Sequence, residues 1–550
     1  MSKYTKIALV VIIIIAAALR LYRLADVPPG VNRDEASIGF TAYSLLHTGR
    51  DEYGKFLPLS FQSFGDWKLP LYIYETVPLV AVLGMTEMAV RLPSALAGIF
   101  TVALTYFLIM ELTRGQKIQR QPLALLGALI LAIAPWHLHL SRVESESNTA
   151  VFLITLGLLA FFKALRGKSV YLIGAAFLFA LTYFTYAGNH IFTTLFVAGL
   201  VYIYRKHILN IPAWKPAAMV FGILFAVIVS QTLLGADRTK ISGISIFGNP
   251  TVIHNLIELP RQEHTNPDGV IARLIHNRAV YAVTTVWDNY LNAFSPQFLF
   301  ISGAGNHAHN IQGFGNMYPF EAVFLFLGVV VLIFYRENPS AQLLLVWLAI
   351  APIAASITKD APHSNRIFAI FPALSVTVAL GIYAVYMTLR QRKFRRAYVA
   401  LLTILYLGSM MLYFDRYYVH FPRDEAQYWG YGYKQLSRVL EEPQNKNKQI
   451  IMTHPEYSPY IYLAFYMGVN PATYQKQVVR YPPTSDAFVH VRKYGRFEFR
   501  AIDWAHDTNR HNTLLIDLPQ DIPGTFKLES GYQTVALPDG SVFLGIVSLK

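Results

Sequence analysis

The stretch IALVVIIIIAAAL, residues 7–19, sets thirteen apolar side chains in a row with no charge among them. Two further stretches read the same way: AAMVFGILFAVIVSQTLL at 217–234, and the segment from Ile367 to Leu389, which has no charged side chain. A helix needs about 20 apolar residues to cross a bilayer, because the hydrocarbon core is ~30 Å thick and each residue rises ~1.5 Å. These runs account for a composition that is 54% hydrophobic and 15% charged, where a soluble globular chain carries about 25% charge. The chain therefore reads as a polytopic membrane protein.

Working outward from the first run gives about eleven spans, near 7–24, 89–112, 122–138, 148–165, 169–187, 189–204, 216–235, 319–335, 341–357, 365–389 and 397–414. The first run also has the look of a secretory h-region, with AAALR as a loose cleavage site. The many spans that follow favour an uncleaved helix ending near Leu24. Orientation comes from Lys and Arg. With the N-terminus cytoplasmic, the inner segments are MSKYTK, TRGQKIQRQ, KALRGK, YRKH, YRENPS and RQRKFRR, and all six carry basic residues. The net charge of +14 is thus a topology signal, and no nucleic-acid partner is expected. The absence of cysteine excludes disulfides, thiolate nucleophiles and Cys-ligated metals.

Three long polar segments then fall on the outer side: 25–88, 236–318 and the tail 415–550. Within the first, residues 69–84 are apolar but interrupted by Glu75 and Pro78, which fits a helix lying at the interface. In the tail, QIIMTHP (449–455) and TLLIDLP (513–519) read as buried strands. YQTVAL and SVFLGIVSL flank Pro-Asp-Gly and read as a hairpin. The expected organisation is a mainly α membrane module at 1–414, with outer loops 25–88 and 236–318, and an extracytoplasmic α/β domain at 415–550.

Five clusters of chemically capable residues share the outer face. GVNRDEASIGF (30–40) carries Asp34 and Glu35. A carboxylate at the membrane surface can take a proton from an attacking hydroxyl, while the same spacing suits a helix N-terminus, with Asp34 as cap or Glu35 in the first turn. GDWKLPLYIY (65–74) carries Lys68, either a phosphate-binding point charge or a snorkelling lysine. HLHLSRVESESN (137–148) packs His137, His139, Arg142, Glu144, Glu146 and Asn148 into a short turn. Ionisable groups at that depth face a protein interior or a wet cavity, or form a solvated turn. The alternate histidines alone are weak evidence for metal. TYFTYAGNHIF (182–192) offers Tyr183, Tyr186, Asn189 and His190, which also suit an aromatic belt. TKDAPHSNRIF (358–368) offers Lys359, Asp360, His363, Asn365 and Arg366. A cation in a first helical turn opposes the dipole, so Arg366 points to a bound anion, either a lipid phosphate or a carboxylate such as Asp34 or Glu146, or else serves as an interfacial anchor.

At these residues the chain resembles the GT-C superfamily of membrane glycosyltransferases. It is most similar to family 39, the protein O-mannosyltransferase type, and to the lipid A aminoarabinose transferases. The likeness rests on Asp34-Glu35 after the first span, Lys68-x-Pro70, RLPSAL (91–96), and Ser141-Arg142 followed by Glu146 and Asn148. It covers about residues 7–415 and is strongest in the first 150. It implies Asp34 as the catalytic carboxylate and Glu146 as a second acid, with Lys68, Arg366 and His363 holding a lipid phosphate. Glu35, Arg142, Asn148, Tyr186 and His190 complete the candidate set. The chain departs from relatives with Lys-Pro-Pro by having Leu69 between Lys68 and Pro70, and Trp67 separates Asp66 from Lys68. The resemblance implies an inverting transfer of a hexosyl or pentosyl group from a polyprenyl-phosphate donor to a protein, lipid or glycan acceptor at the plasma (inner) membrane. No cofactor is required, and a divalent metal has no support in the residues. The competing reading is a transporter or flippase of lipid-linked saccharides. It predicts polar groups at mid-bilayer, whereas these spans are apolar at their centres.

Overall fold

Ser2 caps the first long helix, Lys3–Leu21, by accepting from the Thr5 amide. Leu9, Ile12, Ala16 and Arg20 form its buried stripe, while Ile7, Val10, Val11 and Ile14 are exposed. A helix apolar on all sides that still exposes isoleucine and valine is built for lipid contact. The computed structural model describes residues 1–234, 245–247, 253–484, 488–528 and 531–549. Parts of the expected outer loop 236–318, at 236–244 and 248–252, lie outside the described residues.

Each of the eleven expected spans contains a helix. Among the described residues, six helices are long and apolar enough to cross a membrane, or seven if the bent pair Ser364–Ile370 and Ala373–Thr388 is one span. Arg120–Ile133, Tyr171–Phe184 and Glu321–Phe334 are apolar but shorter. Pro70–Leu83 has 14 residues, about 21 Å of helix, which is too short to span. The chain is an integral membrane protein, mainly helical, with a sheet-bearing C-terminal region.

The chain divides into two compact units, one made of Met1–Tyr22 with Ser94–Tyr413, the other of Arg23–Pro93 with Phe414–Lys550. The first unit is the helical one. Its helices Glu321–Phe334 and Ala373–Thr388 touch through glycine: a Cβ on Gly328 would strike the Thr377 backbone, and one on Gly381 the Phe324 carbonyl. Small residues let membrane helices approach this closely, where van der Waals contact is the main attraction available.

The second unit joins the first outer loop to the tail. The loop forms the helix Arg33–Thr48, strands β1 (Phe61–Ser63) and β2 (Asp66–Lys68) in an antiparallel hairpin, and the helix Pro70–Leu83. The tail contributes β3 (Gln449–Met452), β4 (Val479–Arg480), β5 (Val491–Tyr494), β6 (Phe497–Phe499), β7 (Thr513–Asp517), β8 (Tyr532–Ala536) and β9 (Val542–Ser548). These make one sheet in the order β4-β5-β6-β3-β7-β9-β8. β3 runs parallel to β6 and β7, and β8–β9 is the expected hairpin. One buried core holds Val31, Ile38, Phe40, Phe61 and Ile73 of the loop together with Leu436, Ile450, Ile461, Phe465 and Leu514 of the tail. The loop hides its apolar side chains against the tail, so it folds as part of that domain.

Candidate active site

In the second unit, Asn32 opens the helix Arg33–Thr48. Its side chain accepts from the Glu35 amide at 2.9 Å, and Glu35 Oε2 accepts from the Asn32 amide at 3.2 Å. This reciprocal capping box makes Asn32 the cap and leaves Asp34 without that duty. Glu35 is fully buried and accepts two bonds from the equally buried Arg91, from Nε at 2.9 Å and from Nη2 at 2.9 Å. The same guanidinium donates to the carbonyls of Leu24 at 3.0 Å, Pro28 at 3.1 Å and Gly30. One arginine thereby fixes the course of the chain into the helix. Glu35, a candidate for chemistry on sequence grounds, is enclosed in this clamp.

Asp34 leaves the helix in another direction. Its side chain is 46% exposed, and Oδ1 accepts from Lys68 Nζ at 2.7 Å. Lys68 ends β2 and is itself only 4% exposed, with its ammonium 4.8 Å from the centre of the Phe64 ring. The short hairpin exists to carry this lysine to the helix start: β1 and β2 pair Phe61 with Lys68, and Pro70 at the head of the next helix stops the strand. A carboxylate in a first helical turn beside an ammonium is electrostatically well held, yet it remains open to a reactant.

Behind this pair lies a group that sequence reasoning missed. Asp51 and Glu52 are both buried. The Tyr460 hydroxyl approaches the Glu52 carboxylate at 3.4 and 3.5 Å, Arg480 donates to the Glu52 carbonyl at 3.0 Å, and the Arg480 guanidinium stacks 3.9 Å from the Tyr53 ring centre. Burial pushes Glu52 up to about 7, opposed by the charges of Arg480 and Lys68. Nothing in the local sequence marks Glu52, because its burial comes from tail residues more than 400 positions away. Arg91 did carry a signal, as a charge at the head of an apolar helix.

In the first unit, three other candidate clusters come together. Ser145 caps the helix Glu146–Ala164 by accepting from the Asn148 amide. The Ser145 and Ser147 hydroxyls donate to the Asn365 side chain at 3.2 Å and to its carbonyl at 3.0 Å. Glu146 therefore sits in a first turn braced against the segment bearing His363 and Arg366. Arg366 donates to the Thr358 hydroxyl at 2.6 Å and to Asp360, and Tyr186 shares a hydrogen bond with it. The carboxylate partner of Arg366 is thus its neighbour Asp360, not Glu146. His363 is buried, with its Nε2 3.8 Å from an Asp360 oxygen and its ring against that of His309.

Other members of the candidate set are tied inward. Asn148 is buried and donates to the Ser94 carbonyl at 2.7 Å. Arg142 is buried and donates to the Leu19 carbonyl at 2.8 Å. His190 bonds the Tyr183 carbonyl at 2.9 Å. The His137 Nδ1 lies 2.9 Å from Arg20 Nη2, a permanent donor, so Nδ1 is the acceptor and the ring proton belongs on Nε2. Arg20 is a further buried residue that the sequence reading passed over. Among the described residues, the group whose ligand atoms converge well enough for a metal is His454, Asp517 and Asp521, within 4.8 Å of one another in the tail.

The comparisons with known proteins agree with this architecture. Residues 10–237 match the family model described as Dolichyl-phosphate-mannose-protein mannosyltransferase. No curated protein sequence matches the chain. Among solved structures, ArnT from Cupriavidus metallidurans in the apo state aligns with a TM-score of 0.52 at 14% identity, covering 99% of this chain and 97% of that one. The same protein bound to undecaprenyl phosphate gives 0.50 at 12% identity, with the same coverage. The archaeal oligosaccharyltransferase AglB from Archaeoglobus fulgidus, in complex with an inhibitory peptide and a dolichol-phosphate, gives 0.50 at 14% identity over 84% of this chain. The chain spans 64% of the length of that archaeal enzyme. At such identities the likeness to these structures is one of fold. The fold is thus similar to that of ArnT and AglB. The resemblance expected from Asp34-Glu35 and RLPSAL falls within the stretch, residues 10–237, that the mannosyltransferase family model matches.

Proposed function

We propose that this protein is a membrane glycosyltransferase that moves a sugar from a polyprenyl-phosphate donor to an acceptor hydroxyl at the outer face of the plasma (inner) membrane, with inversion. The observation that carries the reading is the Asp34–Lys68 pair: a half-exposed carboxylate in a first helical turn, held at 2.7 Å by a buried lysine. It is supported by the family match and by the lipid phosphates, dolichol-phosphate and undecaprenyl phosphate, that accompany AglB and ArnT.

In this mechanism the acceptor oxygen attacks the anomeric carbon from the face opposite the phosphate. The new carbon–oxygen bond forms as the bond to the phosphate oxygen breaks, and the hydroxyl proton passes to Asp34. Lys68 holds the carboxylate in place and offers its charge to the leaving phosphate. Glu35 and Arg91 act as positioning residues that set the helix presenting Asp34. In the first unit, Arg366 and His363 are proposed contacts for lipid phosphate, Glu146 is the proposed second acid, and Tyr186 and His190 are proposed sugar or lipid contacts. Arg142 and Asn148 position that unit's turn through their backbone bonds. No step calls for a metal or a nucleotide.

The test is transfer from a labelled polyprenyl-phosphate sugar by the purified protein in liposomes. Mass spectrometry of the surface glycoconjugates lost on deletion identifies the sugar and the acceptor. A transporter would move lipid-linked saccharide across liposomes without forming any glycosidic bond, and that result would displace this reading.

A further inference from the structure

The segment after the helix Trp214–Leu234 returns to the membrane at Glu321–Phe334, so its described helices are tethered at both ends to apolar, membrane-type helices. Helix Arg278–Asn292 packs inward through Tyr281 and Val286 against Ile246 and Ile257. Asn289 pins it by donating to the carbonyls of Ser356 at 2.9 Å and Thr358 at 3.2 Å. Its opposite stripe, Val283, Trp287 and Leu291, is exposed, as are Val270, Ile271 and Leu274 on the preceding helix. The spacing of four between Val283, Trp287 and Leu291 makes one continuous apolar face. At 15 residues, or about 22 Å, the helix is too short to span.

Beside this face is a cavity of about 280 Å³ lined by Arg261, Arg273, Arg278, His276, Asn277 and Glu258, with Ile253 and Ile257 at its apolar wall. Two of the local acids are already engaged: Glu258 binds His254 at 2.7 Å, and Asp268 binds Arg273 at 3.0 Å; Glu263 is exposed. Glu258 on the cavity wall feels the charges of Arg261 and Arg278, but among the described residues neither arginine forms a close ion pair with a carboxylate, so the arginines outnumber the acid in the lining. Asn277 and Arg278 are also the cap and first residue of the 15-residue helix, where the dipole favours an anion. An apolar helical face with arginines at its edge is the pattern of a helix lying in a bilayer interface.

We propose that this segment docks on the membrane surface and that the arginine-lined cavity binds the anionic headgroup of a bilayer phospholipid. The planar guanidinium suits a phosphodiester, and the apolar stripe lets the acyl chains continue from the headgroup into the bilayer. The site is separate from the sugar-transfer chemistry and stands whether or not that reading holds.

The experiment uses the full-length protein in nanodiscs of phosphatidylcholine alone, of phosphatidylcholine with phosphatidylglycerol, and of phosphatidylcholine with polyprenyl phosphate. Amide hydrogen exchange is followed over 253–292. Phosphatidylglycerol is expected to slow exchange in 270–291 by about tenfold or more, since each guanidinium near an anionic surface contributes about a fivefold factor in binding and two act together. The Arg261→Gln/Arg278→Gln protein should lose that difference, and 1 M salt should weaken it in the wild type. Equal exchange with and without phosphatidylglycerol overturns the proposal. So does protection by polyprenyl phosphate alone, which would assign the cavity to the carrier lipid. Because the wild-type comparison needs no substitution, the proposal can be overturned even if the double variant misfolds.

Discussion

Asp34 and Glu35 are adjacent carboxylates, and their neutral isosteres should fail in opposite ways. Glu35→Gln removes the charge that answers Arg91, where both groups are 0% exposed and joined by two 2.9 Å bonds. Breaking one side of a buried pair costs about 3–5 kcal/mol, because the remaining charge is stranded in low dielectric. For a cooperative unit of some 200 residues, that lowers the melting temperature by roughly 6–20 °C. Asp34→Asn disturbs a pair whose lysine is 4% exposed but whose carboxylate is 46% exposed; the asparagine amide oxygen can still accept from the ammonium and water reaches that side, so the stability change is held to about 1–2 kcal/mol. Its cost should fall on turnover instead, roughly 10²–10⁴-fold for a lost general base. Both variants, purified in detergent, are compared by thermal unfolding and by transfer from labelled donor. The reasoning is refuted if Asp34→Asn melts as low as Glu35→Gln, or if it turns over at the wild-type rate.

Three further outcomes follow from the same geometry. Burial raises Glu52 to about 7 from its ordinary 4.5, so its contribution to stability is complete below about 4.5 and is lost as pH rises through 7; Glu52→Gln should flatten the fall in melting temperature between pH 5 and 8, worth up to about 3 kcal/mol. Gly39 faces the Phe465 ring and Val90, so Gly39→Val should overpack that contact by about 1–3 kcal/mol and open the second unit to limited proteolysis, and wild-type resistance would count against the packing described. Arg366→Gln should raise the donor KM by about tenfold or more through loss of a charge-assisted bond to phosphate, whereas an unchanged KM would remove Arg366 from the donor site.

Much of the fold was legible because hydropathy and charge act locally. Residues 7–19 and 367–389 are too apolar to be anything but membrane or core, and β3, β7 and the β8–β9 hairpin follow from short apolar runs bounded by turn residues. Length was less legible. The segments at 122–138, 169–187 and 319–335 read as spans, but Pro135 breaks the first, a 3-10 turn at Thr182–Phe184 ends the regular helix of the second, and the third is a helix of only 14 residues. The candidate site was legible only as a set of residue types. That Asp34 meets Lys68, that Ser145 and Ser147 meet Asn365, and that Arg366 answers to Asp360 are matters of pairing, which composition does not encode.

By itself, the sequence determined a membrane protein with basic loops on one side, a mixed α/β tail, and a carboxylate pair just beyond the first span. Each of these depends on the free energy of transferring a short segment between water and lipid or core, a sum over neighbours in the chain. Only the tertiary structure decided that the first outer loop shares its core with the tail, that Glu35 is locked to Arg91 while Asp34 stays open beside Lys68, and that Glu52 is buried by residues at 460 and 480. Those outcomes depend on which distant segments exclude water from one another. Two acids with neighbouring numbers and the same chemistry received different environments for that reason alone.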